Sequence, residues 1–468
     1  YWDEQEVEDA RINNSGMYTG IGATVRNKDN KMIIIEPFKG FPADNAGLKS
    51  GDQIIKIGEI SLLDNEGDAS ELLKGAADSK VKLTYLRQGK TETTTLTRGA
   101  IDVRAVPFYQ LISDDIGYIV LSKFNRKTTT ETKAALEDLK LQGATKIILD
   151  LRGNPGGLLT EAINVVNLFV PKGASIVTTK SAIKKYNKTY KTQKPAFDTE
   201  IPLVVLVNGR SASASEIVSG GLQDLDRAVV IGARSFGKGL VQRPKKLTYG
   251  TQLKVTISRY YTPSGRCIQA LDYWNRDENG DPVRLGTEEY NSFKTKGGRT
   301  VYDGGGIMPD IELKSGEFSP ITTALLKDQA IFDYATNYYY NNKINNWEDF
   351  SFSNRDFQDF LMFLKTNNFE YETETEKLFS EALRKSEDEH LQKNISSSYN
   401  QLITVLNDAK EKALVEKKEE IINLLSDEIL KRYFYRDGMY KYHLNHSPEI
   451  LEAVSVLNNT SRYQKILK

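Results

Sequence analysis

Residues 203–242 constrain this chain more than any other stretch. Leu203 to Val207 is a continuous apolar run, the pattern of a strand buried on both faces. Asn208-Gly-Arg210 follows as a tight turn, then the small residues Ser211-Ala-Ser-Ala-Ser215. Ile217, Val218, Leu222 and Leu225 recur at helical spacing. A second strand, Ala228 to Ile231, leads to a lysine between glycines, Phe236-Gly-Lys-Gly239. A strand, a sharp turn and a serine at a helix start can expose a hydroxyl. The free N–H groups and positive dipole end of that helix suit a developing oxyanion.

A serine hydroxyl needs a base to become a nucleophile. The histidines are His390, His443 and His446, all remote from the serine run. A histidine-based triad within that region is excluded, and a lysine with a depressed pKa takes its place as candidate. Lys238 fits, since burial beside Phe236 and Leu240 would disfavour its ammonium. A Ser-Lys pair is an accepted variant of triad logic. The residues alone leave Ser211, Ser213 and Ser215 as competing nucleophiles, or as small residues packing and capping a helix. They also leave Lys238 as a surface lysine.

The chain has 468 residues, a length that predicts about three domains. Its 63 basic and 63 acidic side chains cancel, so bulk charge favours neither nucleic acid nor an anionic membrane as partner. The single cysteine, Cys267, excludes a disulfide framework and a cysteine-rich metal site. No apolar run reaches the ~18 residues of a membrane-spanning helix. The chain opens on Tyr1 among charged residues, so a preceding N-terminal part, with any export signal, is expected.

Four regions follow in order. Residues 1–16 read as a partly helical remnant of an N-terminal region. Residues 17–98 read as a β-rich unit, with strands at 32–35, 53–57, 81–87 and 92–96, a short helix at 42–48 and a second helix beginning at 69–75. Residues 99–315 alternate strands and helices: strands at 117–121, 146–150, 174–179 and 252–261, helices at 130–141 and 158–170, and a hairpin over 184–194. Residues 316–468 lose glycine and gain charge. They predict a mostly helical domain, with apolar stripes at Leu402, Leu406, Ala409, Ala413 and at Ile422, Leu425, Ile429, Tyr433. The run Glu416 to Glu420 reads as a solvated helix face, and Tyr338-Tyr-Tyr340 as packing.

Tyr18-Thr-Gly-Ile-Gly22 with Ala46-Gly-Leu48, Gly51-Asp52 and Ile54 resembles a PDZ domain. The resemblance implies that the loop Gly20, Ile21, Gly22 captures a free C-terminal carboxylate while the peptide adds as a strand. Asp150-Leu-Arg-Gly-Asn-Pro-Gly-Gly157, Ser211-Ala-Ser-Ala-Ser-Glu216, Phe236-Gly-Lys-Gly239 with Gln242, and Tyr260-Tyr-Thr-Pro-Ser-Gly265 resemble the C-terminal processing peptidases, or tail-specific proteases. That resemblance covers residues 1–315. It implies a multidomain α/β protein: a PDZ domain, a crotonase-like α/β peptidase core and a helical C-terminal domain. It places the nucleophile on Ser213, the base on Lys238, a lysine-positioning glutamine on Gln242, and the oxyanion hole on the N–H groups of Ala214 and Gly157, with Gly156 competing for the latter. Glu216 is read as a first-turn carboxylate complementing the helix dipole, and Arg152 as the side chain fixing the glycine turn.

The expected function is a serine endopeptidase that recognises the apolar free C-terminus of protein or peptide substrates, without metal or cofactor. The resemblance implies a periplasmic or cell-envelope location. Homo-oligomerisation is expected through residues 316–468. A PDZ scaffold on a catalytically silent core is the rival reading. A small-molecule binder is a third, which an apolar cavity and a missing dyad would favour.

Overall fold

The structure, a computed structural model, describes residues 1–28, 31–62, 69–278, 280–313 and 318–468. The expected domain boundary at 315/316 lies outside the described residues. The chain forms two compact units, one of residues 1–18, 100–315 and 443–468, the other of residues 19–99 and 316–442.

The first unit holds the serine run. Its elements are helix α1 (Glu4–Ser15), strands β1 (Phe108–Ile112) and β2 (Ile116–Val120), helix α2 (Thr128–Leu141), strand β3 (Lys146–Asp150), helix α3 (Leu159–Phe169), strands β4 (Ser175–Lys180), β5 (Lys188–Lys191) and β6 (Leu203–Val207), helix α4 (Ala214–Asp224), strands β7 (Val229–Gly232), β8 (Leu240–Lys246), β9 (Gln252–Tyr261) and β10 (Ile311–Glu312), and helices α5 (Pro448–Asn458) and α6 (Thr460–Ile466). One mixed sheet runs β10-β7-β6-β3-β2-β1. Its pairs are parallel except β1 with β2. Every residue of β6 is buried, as its unbroken apolar run requires. A second, antiparallel sheet runs β5-β4-β9-β8.

One expectation needs correction in this unit, the hairpin over 184–194. The 184–194 segment is one short 3-10 turn followed by β5, which pairs with β4. Helix α2 buries Thr132, Ala135, Leu136 and Leu139 and leaves Ala134 exposed. On β9, Leu253 and Arg259 are exposed while Ser258 and Tyr260 are buried. The last helices return to this sheet: the Tyr463 hydroxyl meets the Leu203 backbone, accepting from its N–H at 2.9 Å. Residues 443–468 thus belong to the same unit as this sheet.

A buried ion pair closes the unit near the Thr262-Pro-Ser-Gly265 turn. Arg266, fully buried, donates to Asp224 Oδ1 and Gln223 Oε1, each at 2.7 Å, and to the Tyr302 carbonyl at 3.1 Å. Asp224 Oδ2 accepts from Ser264 N–H at 3.0 Å. Removing one partner leaves a buried charge uncompensated, a cost of about 3–5 kcal/mol. Asp224→Ala is therefore expected to lose about that much in urea unfolding, and Asp224→Ala with Arg266→Met to lose less than the single change. Equal or greater loss in the double variant would show that the charge is not the cause.

In the second unit, strands at Ala23–Lys28, Lys31–Pro37, Gln53–Ile57, Lys80–Arg87 and Lys90–Thr97 form one antiparallel sheet around a short helix, Pro42–Asn45. Arg87 holds buried Asp52 in a two-point pair, at 2.8 and 2.6 Å, and the Gly47 carbonyl at 2.8 Å. The segment at 69–75 is a 3-10 turn, Ala69–Leu73, not the start of an α-helix.

Residues 318–442 are helical around an aromatic-rich core that includes Tyr334, Phe357, Phe360, Leu425 and Ile429. Leu402 and Ala409 are exposed, and the helix Gln392–Glu416 buries no residue, so that expected stripe is not a core face. The Glu416–Glu420 run spans a break between two helices. Glu420 accepts from Ser319 N–H at 3.0 Å, so the run is not simply solvated.

Candidate active site

The strand β6 ends at Val207, and the Asn208 side chain organises the turn, accepting from Gly153 N–H and Arg210 N–H at 3.0 and 3.1 Å. The serine run then separates by burial. Ser211 is buried and donates to the Leu151 carbonyl at 2.8 Å. Ser215 is buried and donates to the Asn154 carbonyl at 2.9 Å. Ser213 alone of the three is half-exposed, and it stands at the start of α4 with φ +56° and ψ −107°. A serine at positive φ is strained and persists where its surroundings hold it.

Glu216 does the holding. This fully buried carboxylate accepts from Ser213 N–H at 2.7 Å, Gly237 N–H at 2.7 Å, Lys238 N–H at 2.9 Å and the Ser235 hydroxyl at 2.6 Å. It ties the serine backbone to the lysine backbone. Burial pushes its pKa up, and the four donors oppose that rise. Glu216 complements the helix start as expected, and its larger part is this bridge. The expectation missed it because the partners are backbone groups some twenty residues away.

The Lys238 loop passes close to residues 267–271. Gly239 N–H donates to Gln269 Oε1 at 2.8 Å, and a Cβ on Gly239 would come within 2.8 Å of Gln269 N. Gly237, at φ +88°, faces Ala270 as closely. Glycine on both sides of Lys238 is thus a packing requirement. The Lys238 amine is half-buried. Burial lowers its pKa, the nearby Lys254 cation lowers it further, and Glu216 opposes both. Gln242 lies on β8, opposite Thr256, and its amide donates to Thr256 Oγ1 at 3.4 Å. Among the described residues no hydrogen bond joins Gln242 to the Lys238 amine.

The glycine turn lies directly against the serine. A Cβ on Gly156 would meet the Ala212 carbonyl at 2.7 Å, and Ala214 N and Ser213 Cβ at 2.9 Å. Gly156 N–H is already given to Asn154 Oδ1 at 2.9 Å. Gly157 N–H and Ala214 N–H have no acceptor among the described residues. Buried Asn154, unremarked in the sequence, stitches the two loops: its carbonyl accepts from Ala212 N–H at 3.0 Å as well as from Ser215. Arg152 does not bond the glycine turn. It pairs with Asp150, and with Ser447 at 2.8 Å and Glu449 at 2.9 Å.

In the second unit, Gly20, Ile21 and Gly22 are buried, and Gly22 has φ +73°. Ile21 and Gly22 N–H have no acceptor among the described residues. No cluster of His, Cys, Asp or Glu that could hold a metal occurs among the described residues.

Three regions of the chain match models of known domains. Residues 115–273 match the model of peptidase family S41. Residues 115–273 form a peptidase S41 domain. Residues 19–97 match the PDZ domain model, and residues 321–457 match the model described as "Probable PDZ-protease, C-terminal helical domain". The carboxy-terminal processing protease CtpA of Bacillus subtilis is 37% identical over 272 residues, 57% of this chain and 57% of its own. The carboxy-terminal-processing protease of Bartonella bacilliformis is 38% identical over 281 residues, 58% of this chain and 63% of its own. The chain thus spans about three-fifths of the length of these relatives. Among solved structures, a photosystem II D1 C-terminal processing protease is 28% identical, covers 67% of this chain and 76% of its own, and has a TM-score of 0.37. No helix among the described residues is long and apolar enough to cross a membrane.

Proposed function

We propose that this chain is a serine endopeptidase of the C-terminal processing type, working with a Ser213-Lys238 dyad in the bacterial cell envelope. One observation carries the reading: a single buried carboxylate, Glu216, fixes the backbones of the half-exposed Ser213 and of the pKa-lowered Lys238. A silent scaffold has no need to tie a strained serine and a lysine of lowered pKa to one buried carboxylate. The relatives' names, which describe carboxy-terminal processing proteases, support the same reading.

In this mechanism the neutral Lys238 amine takes the Ser213 proton as Oγ bonds to the scissile carbonyl carbon. The oxyanion accepts from Ala214 and Gly157 N–H, neither of which has an acceptor among the described residues. The Lys238 ammonium then protonates the leaving amine as the C–N bond breaks. Water, deprotonated by Lys238, hydrolyses the acyl-enzyme. Gln242 orients the amine once substrate is bound, since catalytic hydrogen bonds often tighten only in the complex. Ile21 and Gly22 N–H receive the substrate's terminal carboxylate, and the peptide adds as a strand.

The test is cleavage of an unfolded protein ending in Leu-Ala-Ala at neutral pH with chelator present. Wild type is expected to cut it and Ser213→Ala to leave it intact while remaining folded. Peptide binding without cleavage by wild type would put the silent scaffold first.

A further inference from the structure

The zero net charge conceals a strongly basic sheet. Residues 172–194 hold seven lysines and no acid, and residues 236–262 hold six lysines and arginines and no acid. These segments build β5-β4-β9-β8. Lys180, Arg243, Lys245, Lys246, Lys254 and Arg259 are all exposed. Among the described residues none of the six is in an ion pair. Asp272 lies within electrostatic reach of Arg259 without pairing with it. Elsewhere in the same unit lysines do pair, as Lys127 with Asp102, Lys140 with Asp198 and Lys146 with Asp115. The sheet's cations instead lie over rings: Lys180 is 4.3 Å from the Tyr261 centroid, Lys254 5.0 Å from Trp2 and Arg243 5.9 Å from Tyr186.

Two facts say what such a surface takes. First, β8 is an edge strand that begins two residues after Lys238, so its cations continue directly from the dyad. An edge offers unpaired backbone groups to an extended chain. Second, the acidic N-terminal segment already meets this ribbon, at Trp2 and at Glu4. Trp2 and Gln252 exchange backbone hydrogen bonds at 2.6 and 2.9 Å, and Asp3, Glu4, Glu6, Glu8 and Asp9 follow. Glu4 lies against Gly250 at the ribbon tip, where a Cβ would be 3.0 Å from its carboxylate.

We propose that the β8-β9 ribbon and the sheet behind it bind acidic segments of the substrate polypeptide, making charge near the scissile bond a specificity determinant. The inference rests on the peptidase reading above. Leu247 and Tyr249 are exposed at the tip, as a lipid-binding hairpin would have them, but the continuity of β8 with the Lys238 loop favours a peptide.

Two unfolded substrates with the same C-terminal tail test this, one carrying four glutamates upstream of the cleaved bond and the other four glutamines. At low salt wild type is expected to favour the glutamate form about tenfold, mainly through KM. The preference falls to within about twofold at 0.5 M salt, where the Debye length is only a few ångströms. Lys245→Glu with Lys246→Glu loses the preference and cleaves the glutamine form as wild type does. Equal preference in both proteins would overturn the proposal. Binding of a fluorescein-labelled glutamate peptide to Ser213→Ala, with and without the two reversals, reads the surface independently of cleavage. Weaker binding in the reversed protein supports the proposal even where no substrate is cut. Unchanged binding, with Lys245- and Lys246-dependent sedimentation on phosphatidylglycerol vesicles, assigns the surface to lipid and overturns it.

Discussion

Lys238→Ala is expected to lower kcat/KM by about 10⁴-fold while leaving the protein folded. Removing the base of a serine dyad forfeits proton transfer in both half-reactions, and losses of about that size accompany loss of a triad member. At about 1.4 kcal/mol per tenfold, this is some 5–6 kcal/mol of transition-state stabilisation. The active form is the neutral amine, so activity rises as pH rises through the Lys238 pKa and is flat above it. Burial first, and Lys254 second, push that pKa below the usual lysine range, while Glu216 pushes it up. The acid limb of wild-type kcat/KM is therefore expected below the ordinary lysine midpoint of about 10.4. Lys254→Gln removes a like charge and moves the limb upward. A Lys238→Ala protein with more than a tenth of wild-type activity would remove the lysine from the mechanism. A limb unmoved by Lys254→Gln would remove Lys254 from its electrostatics alone.

The elements around the site were legible where one residue pattern suffices. Leu203–Val207, Lys146–Asp150 and Gln252–Tyr261 fall where their apolar runs or alternation place them. Strand β8 was not, because Arg243-Pro-Lys-Lys246 carries no strand signal. It exists through its pairing with β9. The helix Gln392–Glu416 has an apolar stripe without a buried face, so its periodicity overstated a core. The glycines of the 153–157 turn were visible as a motif. What they require was not: Gly156 needs the absence of a Cβ because Ser213 and Ala214 approach from sixty residues away. The same blindness covered Arg152, whose partners Ser447 and Glu449 lie at the far end of the chain. Tertiary contacts to backbone atoms leave no mark in side-chain pattern, and this site is largely built from them.

Glu216 concentrates that dependence, and its replacement is expected to cost more than any other change outside the dyad. Glu216→Ala strands three backbone N–H groups and the Ser235 hydroxyl that now share one carboxylate. Each buried donor left without a partner costs about 1–3 kcal/mol, so the total approaches the whole stability of an ordinary domain, about 5–15 kcal/mol. Glu216→Ala is expected to unfold at low denaturant or fail to accumulate. Glu216→Gln separates structure from catalysis. Its shape is retained, but one oxygen becomes an NH₂ group facing donors, so one or two bonds are lost rather than four. The expected result is a loss of about 1–3 kcal/mol in urea unfolding and a fall in kcat of about 10²-fold, with KM within about twofold. The fall in kcat follows because either orientation of the amide releases one of the two N–H groups, Gly237 or Lys238, that tie the lysine loop to the group fixing Ser213 at φ +56°, and a small misplacement of reacting groups is costly. Glu216→Asp, which keeps the charge and shortens the reach, should recover part of the kcat but not all of it. A Glu216→Gln protein with wild-type kcat and reduced stability would make the carboxylate a structural tie alone.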